Sequence, residues 1–275
     1  MRAVLTLLVF LACALPGLAV AETNPQETPA PATTAPAAPG KKPWCAPEVT
    51  ELSSHVCFFE PHEDPTPADG RRTLVIYLHG MLADVPGFAW LQHRAMAIHA
   101  KRLHFTVLMP TSPKEDGSYV WPTSEAAIKE QEPAIIAGIA KARADLVARV
   151  GHDFDETFVV GFSSGAYYGS AAAVRGAIPS DGTIVLAGGS AWARAKADGP
   201  RAPIFVGVSA ADRQTRDHSR AFGNALTALH WPHRTEEQNA GHMVDWALIT
   251  HGIAWLRAQS PAATSAEHHP LRTAQ

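Results

Sequence analysis

Thr157-Phe158-Val159-Val160-Gly161-Phe162-Ser163-Ser164-Gly165-Ala166-Tyr167-Tyr168-Gly169-Ser170-Ala171-Ala172-Ala173 is the stretch whose reading decides the fold class. It opens as a short apolar run of β-branched and aromatic residues, which suits a strand. It closes in a small-residue pattern that suits a helix. Between the two stands Gly-x-Ser-x-Gly, at Gly161, Ser163 and Gly165. A strand that turns at once into a helix leaves its central residue in a strained backbone conformation. Gly161 and Gly165 remove side chains that would collide across so tight a turn. Ser163 is then lifted clear of the strand, near the positive end of the following helix. The pentapeptide alone recurs by chance; the strand before it and the helix after it give it weight.

A serine hydroxyl near its free pKa is a poor nucleophile. It needs a base, and the base needs a group that orients it. Both are present downstream. Pro203-Ile204-Phe205-Val206-Gly207-Val208 reads as a buried parallel strand, and Ser209-Ala210-Ala211-Asp212 follows at its end. Asp212 therefore falls in a loop at the strand terminus, whereas its rival Asp217 falls inside the next predicted helix. Asn239-Ala240-Gly241-His242-Met243 is a glycine-containing loop before the last helix, from which His242 can reach Ser163. The other thirteen of the 14 histidines are spread along the chain. Their ordinary fate is solvated surface or a satisfied polar contact.

Upstream, Arg72-Thr73-Leu74-Val75-Ile76-Tyr77-Leu78 reads as another strand and ends in His79-Gly80-Met81-Leu82. A backbone N–H after such a strand, with the N–H of the residue after the nucleophile, can hold a developing oxyanion. Those donors map to Met81 and Ser164. Gly80 lets the backbone approach a substrate oxygen closely.

With these pieces assembled, the chain resembles the carboxylesterase, phospholipase and dienelactone-hydrolase branch of the α/β-hydrolases. Leu78-His79-Gly80 is similar to that branch's strand-end motif, and Gly161-Phe162-Ser163-Ser164-Gly165-Ala166 to its Gly-Phe-Ser-Gln-Gly-Gly elbow. Pro203 to Asp212 and Gly241-His242 are similar to its closing segment. Met109-Pro110-Thr111 and Trp121 also resemble that branch, in which a tryptophan-containing loop borders the site. The similarity spans roughly residues 70 to 258. It departs at Ser164, where the family usually has glutamine, and in an additional N-terminal segment. The resemblance implies a mainly parallel sheet with helices on both faces, and the chain order serine, acid, histidine. The segment between the elbow and Asp212 is too short for a large cap domain. An open site is expected, walled by residues 82 to 90 and 111 to 124, with Trp121, Phe88 and Tyr167 as candidate substrate-binding residues.

The N-terminus carries compartment information. Met1-Arg2 is followed by an apolar run from Ala3 to Leu15 and by Ala19-Val20-Ala21. This is the pattern of a secretory signal peptide over residues 1–21, too short for a membrane span. Leu11-Ala12-Cys13 also fits a lipoprotein signal with anchoring at Cys13, against which the continuing apolar residues argue. A secreted or periplasmic location follows. Cleavage leaves Cys45 and Cys57, which in an exported protein suggest a disulfide; two buried thiols are the alternative. Residues 22–43 are rich in Pro, Ala and Thr and cannot offset their ordering entropy by burial, so a disordered linker is expected there. Residues 44–259 form the expected hydrolase domain, and residues 260–275 a flexible polar tail.

The element pattern predicts early strands over 49–59, a strand over 73–78, a helix over 89–101 and a strand over 105–109. A helix over 125–150, interrupted or restarted at Pro133, follows. Beyond the elbow come strands over 183–187 and 204–208, a helix over 213–229, a weaker strand over 234–238 and a closing helix over 244–257. The formal net charge of −3 and the lack of a basic cluster argue against nucleic-acid binding. No metal-ligand spacing and no phosphate loop stand out, and the implied chemistry needs no cofactor or metal. The expected partner is a small-molecule or polymeric ester, cleaved through a Ser163-Asp212-His242 triad and an acyl-enzyme. A peptidase or acyltransferase on the same fold would share that triad. A non-catalytic binding protein would require a broken one.

Overall fold

Strands with unbroken apolar runs must be covered on both faces, and the chain supplies a helix layer for each. The structure, a computed structural model, describes residues 43–61, 70–194 and 201–259. The expected signal peptide with Cys13, the linker up to residue 42 and the tail over residues 260–275 lie outside the described residues. The chain begins with β1 (Thr50–Ser53) and β2 (Val56–Phe59), an antiparallel pair, followed by β3 (Thr73–Leu78) and β4 (Leu82–Ala83). Next come α1 (Trp90–Leu103), β5 (Thr106–Met109), β6 (Lys114–Glu115), β7 (Ser118–Tyr119) and α2 (Glu125–Val150). The second half holds β8 (Glu156–Phe162), α3 (Ser164–Arg175), β9 (Gly182–Leu186) and β10 (Ile204–Ser209). It closes with α4 (Arg216–Ala228), β11 (His233–Gln238) and α5 (Trp246–Gln259).

Among the described residues these form an eight-stranded sheet in the order β1-β2-β5-β3-β8-β9-β10-β11. β2 runs antiparallel to β5, and every pairing from β5 to β11 is parallel. Side chains alternate across it. Val75, Tyr77, Phe158, Val160, Ile184 and Leu186 pack with Met96 and Ala100 of α1 and Leu248, Ile253 and Leu256 of α5. Leu74, Ile76, Leu78 and Val159 face the other way, onto Ile128, Ile135, Ile139 and Leu146 of α2 and Tyr168 and Ala171 of α3. Val185, Val206 and Val208 meet Phe222 and Leu226 of α4 on that second side.

Two features differ from the sequence expectation. α2 runs unbroken through Pro133. An interior proline costs about 3 kcal/mol. Four large apolar residues of this helix are buried on both sides of it, each contributing roughly 1.5–3 kcal/mol, so burial outweighs the lost hydrogen bond. Ser124 caps the start through Ala127 N–H (3.2 Å), and Gly151 ends the helix at φ +80. The second feature is a small antiparallel sheet, β4-β7-β6, standing between the walls read as loops. Two-residue strands are too short to show a period. No helix among the described residues is long and apolar enough to cross a membrane.

The start of the domain is pinned. Cys45 and Cys57 form a disulfide with a Cα–Cα distance of 5.8 Å, inside the α1-side core. Ala46 N–H donates to Nδ1 of the buried His93 (3.4 Å), and Trp90 Nε1–H to Pro43 O (3.1 Å). At the opposite end of the strands, buried Glu156 of β8 accepts from Thr73 Oγ1–H (2.6 Å) and from Arg257 Nε–H (3.0 Å), with Arg71 at 3.1 Å. That cluster locks α5 to the first central strand.

Candidate active site

β8 delivers Ser163 into a turn at φ +52, ψ −118, a conformation a non-glycine residue holds only where its surroundings enforce it. The sterics explain the flanking glycines. A Cβ at Gly161 would lie 2.4 Å from Gly165 O, and one at Gly165 would lie 2.0 Å from Leu78 O. Ser163 N–H donates to Leu186 O (3.0 Å) and Gly165 N–H to His79 O (3.1 Å), so β9 and the end of β3 hold the turn.

The loops after β10 and β11 are laced together: Ala210 N–H donates to Gln238 O (2.8 Å) and Ala211 N–H to Ala240 O (3.0 Å). This sets Asp212 beneath His242. His242 Nδ1 lies 2.7 Å from Asp212 Oδ2, and His242 Nε2 lies 3.1 Å from Ser163 Oγ. Asp212 is 4% exposed. Burial acts to raise its pKa, but bonds from Thr215 Oγ1–H, His242 and Gln214 N–H (3.0 Å) outweigh it and hold the carboxyl below its usual value. Asp217 lies in the first turn of α4, exposed and paired with Arg216 (3.0 Å) and Arg220 (3.6 Å). Geometry thus joins Asp212, not Asp217, to His242.

Ser164 opens α3, so its N–H is among those without a partner inside the helix. Met81 follows Gly80 in the turn between β3 and β4, its side chain exposed. The loop around these N–H groups is anchored by residues that sequence reasoning missed. Gln92 Oε1 of α1 accepts from Gly80 N–H (2.9 Å) and from Tyr77 O–H (2.7 Å). His79 is buried; its Nε2 accepts from Ser112 N–H (3.1 Å), so its Nδ1 carries the proton and donates to Gly80 O (2.5 Å). Burial pushes the His79 pKa down to about 4, and the nearby His93 adds to this, so the ring stays neutral. Nothing in the sequence marks Gln92, one polar residue among several on α1.

The three aromatic residues expected to wall the site take different places. Trp121 is 1% exposed and stacks on Tyr168 (5.6 Å, 5°) and against His79 (5.2 Å). The expectation that it borders substrate is corrected: it supports the His79 loop from within the core, because two aromatic partners bury it there. Phe88 is exposed on the segment before α1. Tyr167 is half-buried, its hydroxyl bonded to His218 Nδ1, and it lines an open pocket with Trp192. A second hollow, of about 500 Å³, lies at the other end of the strands, lined by Arg143, Asp155, Ser180 and Asp181 among others.

No protein-family model matches the chain, and no curated protein sequence does. Solved structures do resemble it in shape. YahD, solved with malic acid, superposes with a TM-score of 0.52 at 14% identity over 74% of this chain and 98% of that one. The Bacillus cereus carboxylesterase gives 0.50 at 13% identity over 74% and 93%. A single-residue variant of Arabidopsis thaliana SOBER1 gives 0.50 at 17% identity over 67% and 98%. The parallel sheet order, the strained serine at the strand-to-helix turn and these likenesses together identify the α/β-hydrolase fold.

Proposed function

We propose that the protein is an exported serine hydrolase that cleaves carboxylic esters by way of an acyl-enzyme. One observation carries this reading: the hydrogen-bonded line from Asp212 Oδ2 to His242 Nδ1 (2.7 Å) and from His242 Nε2 to Ser163 Oγ (3.1 Å). Because Nδ1 faces a carboxylate, it carries the imidazole proton, and Nε2 is free to accept the Ser163 proton as Oγ attacks an ester carbonyl. Asp212 then stabilises the imidazolium. The N–H groups of Ser164 and Met81 receive the oxyanion, an arrangement worth several kcal/mol. His242 returns the proton to the leaving alcohol, and water repeats the cycle on the acyl-enzyme. The carboxylesterase among the structural likenesses favours esters over other acyl substrates. Export rests on the leader at residues 1–21, and the Cys45–Cys57 bond fits an oxidising compartment.

A fluorophosphonate probe labels Ser163 alone on this reading, and Ser163→Ala removes ester hydrolysis while circular dichroism stays that of the folded protein. Label on another serine, or a folded Ser163→Ala protein with near wild-type turnover, would falsify it. Mass spectrometry of the exported protein checks the compartment: a mature N-terminus at Glu22 is expected, and lipid on Cys13 would replace it with an anchored form.

A further inference from the structure

An open pocket of about 490 Å³, lined by Tyr167 from the helix that Ser163 caps, is not used by the bond-breaking chemistry. Tyr167, one helical turn past the nucleophile, donates its N–H to Ser163 O (3.1 Å) and forms one wall. His218 and Ala221 of α4, just beyond the Asp212 loop, form another, and Ala191 and Trp192 after β9 a third. Gly189, which lines the pocket, has no room for a side chain: a Cβ there would lie 2.7 Å from Phe222 Cβ. Gly189 also sits at φ +148, a backbone conformation side chains rarely adopt.

Trp192 is 45% exposed and lines the pocket. The Tyr167 hydroxyl is bonded to His218 Nδ1, with the two rings edge-on at 5.6 Å and 72°. Burial first, and then Asp212, raise the Tyr167 pKa, so the phenol stays protonated. A tyrosine hydroxyl paired with an imidazole can still take a further hydrogen-bond partner. Thr123, Tyr167 and His218 bring the pocket its polar side chains, and Trp192 its flat apolar surface. An aliphatic chain would use neither the indole face nor the phenol–imidazole pair.

Resting on the ester-hydrolase reading, the geometry points to an aromatic specificity pocket: it takes the flat ring of a phenolic ester, stacked on Trp192 with the ring hydroxyl at the Tyr167–His218 pair. The test compares methyl 4-hydroxycinnamate, methyl cinnamate and methyl butyrate on the mature full-length protein. Wild type favours 4-hydroxycinnamate over butyrate in kcat/KM. Trp192→Ala lowers that ratio about tenfold, mostly through KM. Tyr167→Phe removes the preference for the hydroxylated ring over plain cinnamate, and Leu229→Ala, at the far end of α4, keeps both ratios. A wild-type ratio at or below unity, or one indifferent to Trp192→Ala, overturns the proposal. Calorimetry of methyl 4-hydroxycinnamate with Ser163→Ala separates the two readings. Butyrate hydrolysis without cinnamate binding sinks the pocket alone. Binding that Trp192→Ala abolishes, without hydrolysis of any ester, supports the pocket and sinks the esterase alone.

Discussion

Asp212 and Asp217 lie either side of the start of α4, yet their surroundings are opposite in kind. Asp212 is buried under three donors and faces His242; Asp217 is solvated beside two arginines. Asp212→Asn is expected to lower kcat by about 10⁴-fold, because an amide cannot hold the imidazole in the required tautomer. Asp217→Asn removes only surface ion pairs, worth about 0–1 kcal/mol, and should leave turnover within about twofold. Steady-state kinetics of the two purified variants decide this, and the reverse order of effects would reassign the acid. Gln92 acts one step further back, through Gly80. Gln92→Ala frees the loop that presents Met81 N–H and should lower kcat by roughly 10–100-fold with KM little changed, since the donor matters most once charge develops. Gln92→Glu keeps an acceptor at Oε1 and should restore most of the loss. A rise in KM at constant kcat would instead place Gln92 in substrate binding.

At the scale of elements, burial decides against local preference. Pro133 reads as a helix break, but α2 passes through it because Ile128, Ile135, Ile139 and Leu146 form one buried stripe. α5 is held by more than its apolar face. Arg257 donates to Glu156 (3.0 Å) and to Thr73 Oγ1 (2.6 Å), tying the last helix to β8 and β3 where both are buried. Arg71 (3.1 Å) still neutralises Glu156 when Arg257 is removed, so Arg257→Ala should cost about 1–3 kcal/mol, the loss of its charge-assisted hydrogen bonds. Urea unfolding checks this at neutral pH, and a loss below about 1 kcal/mol would mean the cluster behaves as a surface pair.

Across the whole molecule, three buried histidines, His79, His93 and His99, have pKa values lowered by burial and make stability depend on pH. His79 and His93 both have pKa values pushed down to about 4, chiefly by burial. Below about pH 6.5 the unfolded chain takes up protons that the folded protein refuses. Stability is therefore full above pH 6.5 and falls as the pH drops toward 4, by roughly 2 kcal/mol for each of His79 and His93 at pH 5. Denaturant midpoints at pH 7 and pH 5 measure this, and His93→Leu should flatten the dependence; equal slopes in variant and wild type would show that other groups carry it. The same scale shows what could be read in advance. β3, β8 and β10 were legible because strands covered on both faces keep apolar residues in sequence, and the elbow because only glycine fits at Gly161 and Gly165. Asp212 and His242 were legible as polar residues in loops where strands end. Sequence alone therefore determined the layers and the order of the candidate site residues, since both depend on local periodicity and local sterics. The burial of Trp121 between His79 and Tyr168, the Gln92 anchor and the pocket shared by Tyr167, Trp192 and His218 were decided only by tertiary structure. Each is a meeting of surfaces from distant segments, and such contacts leave no period or spacing in the chain.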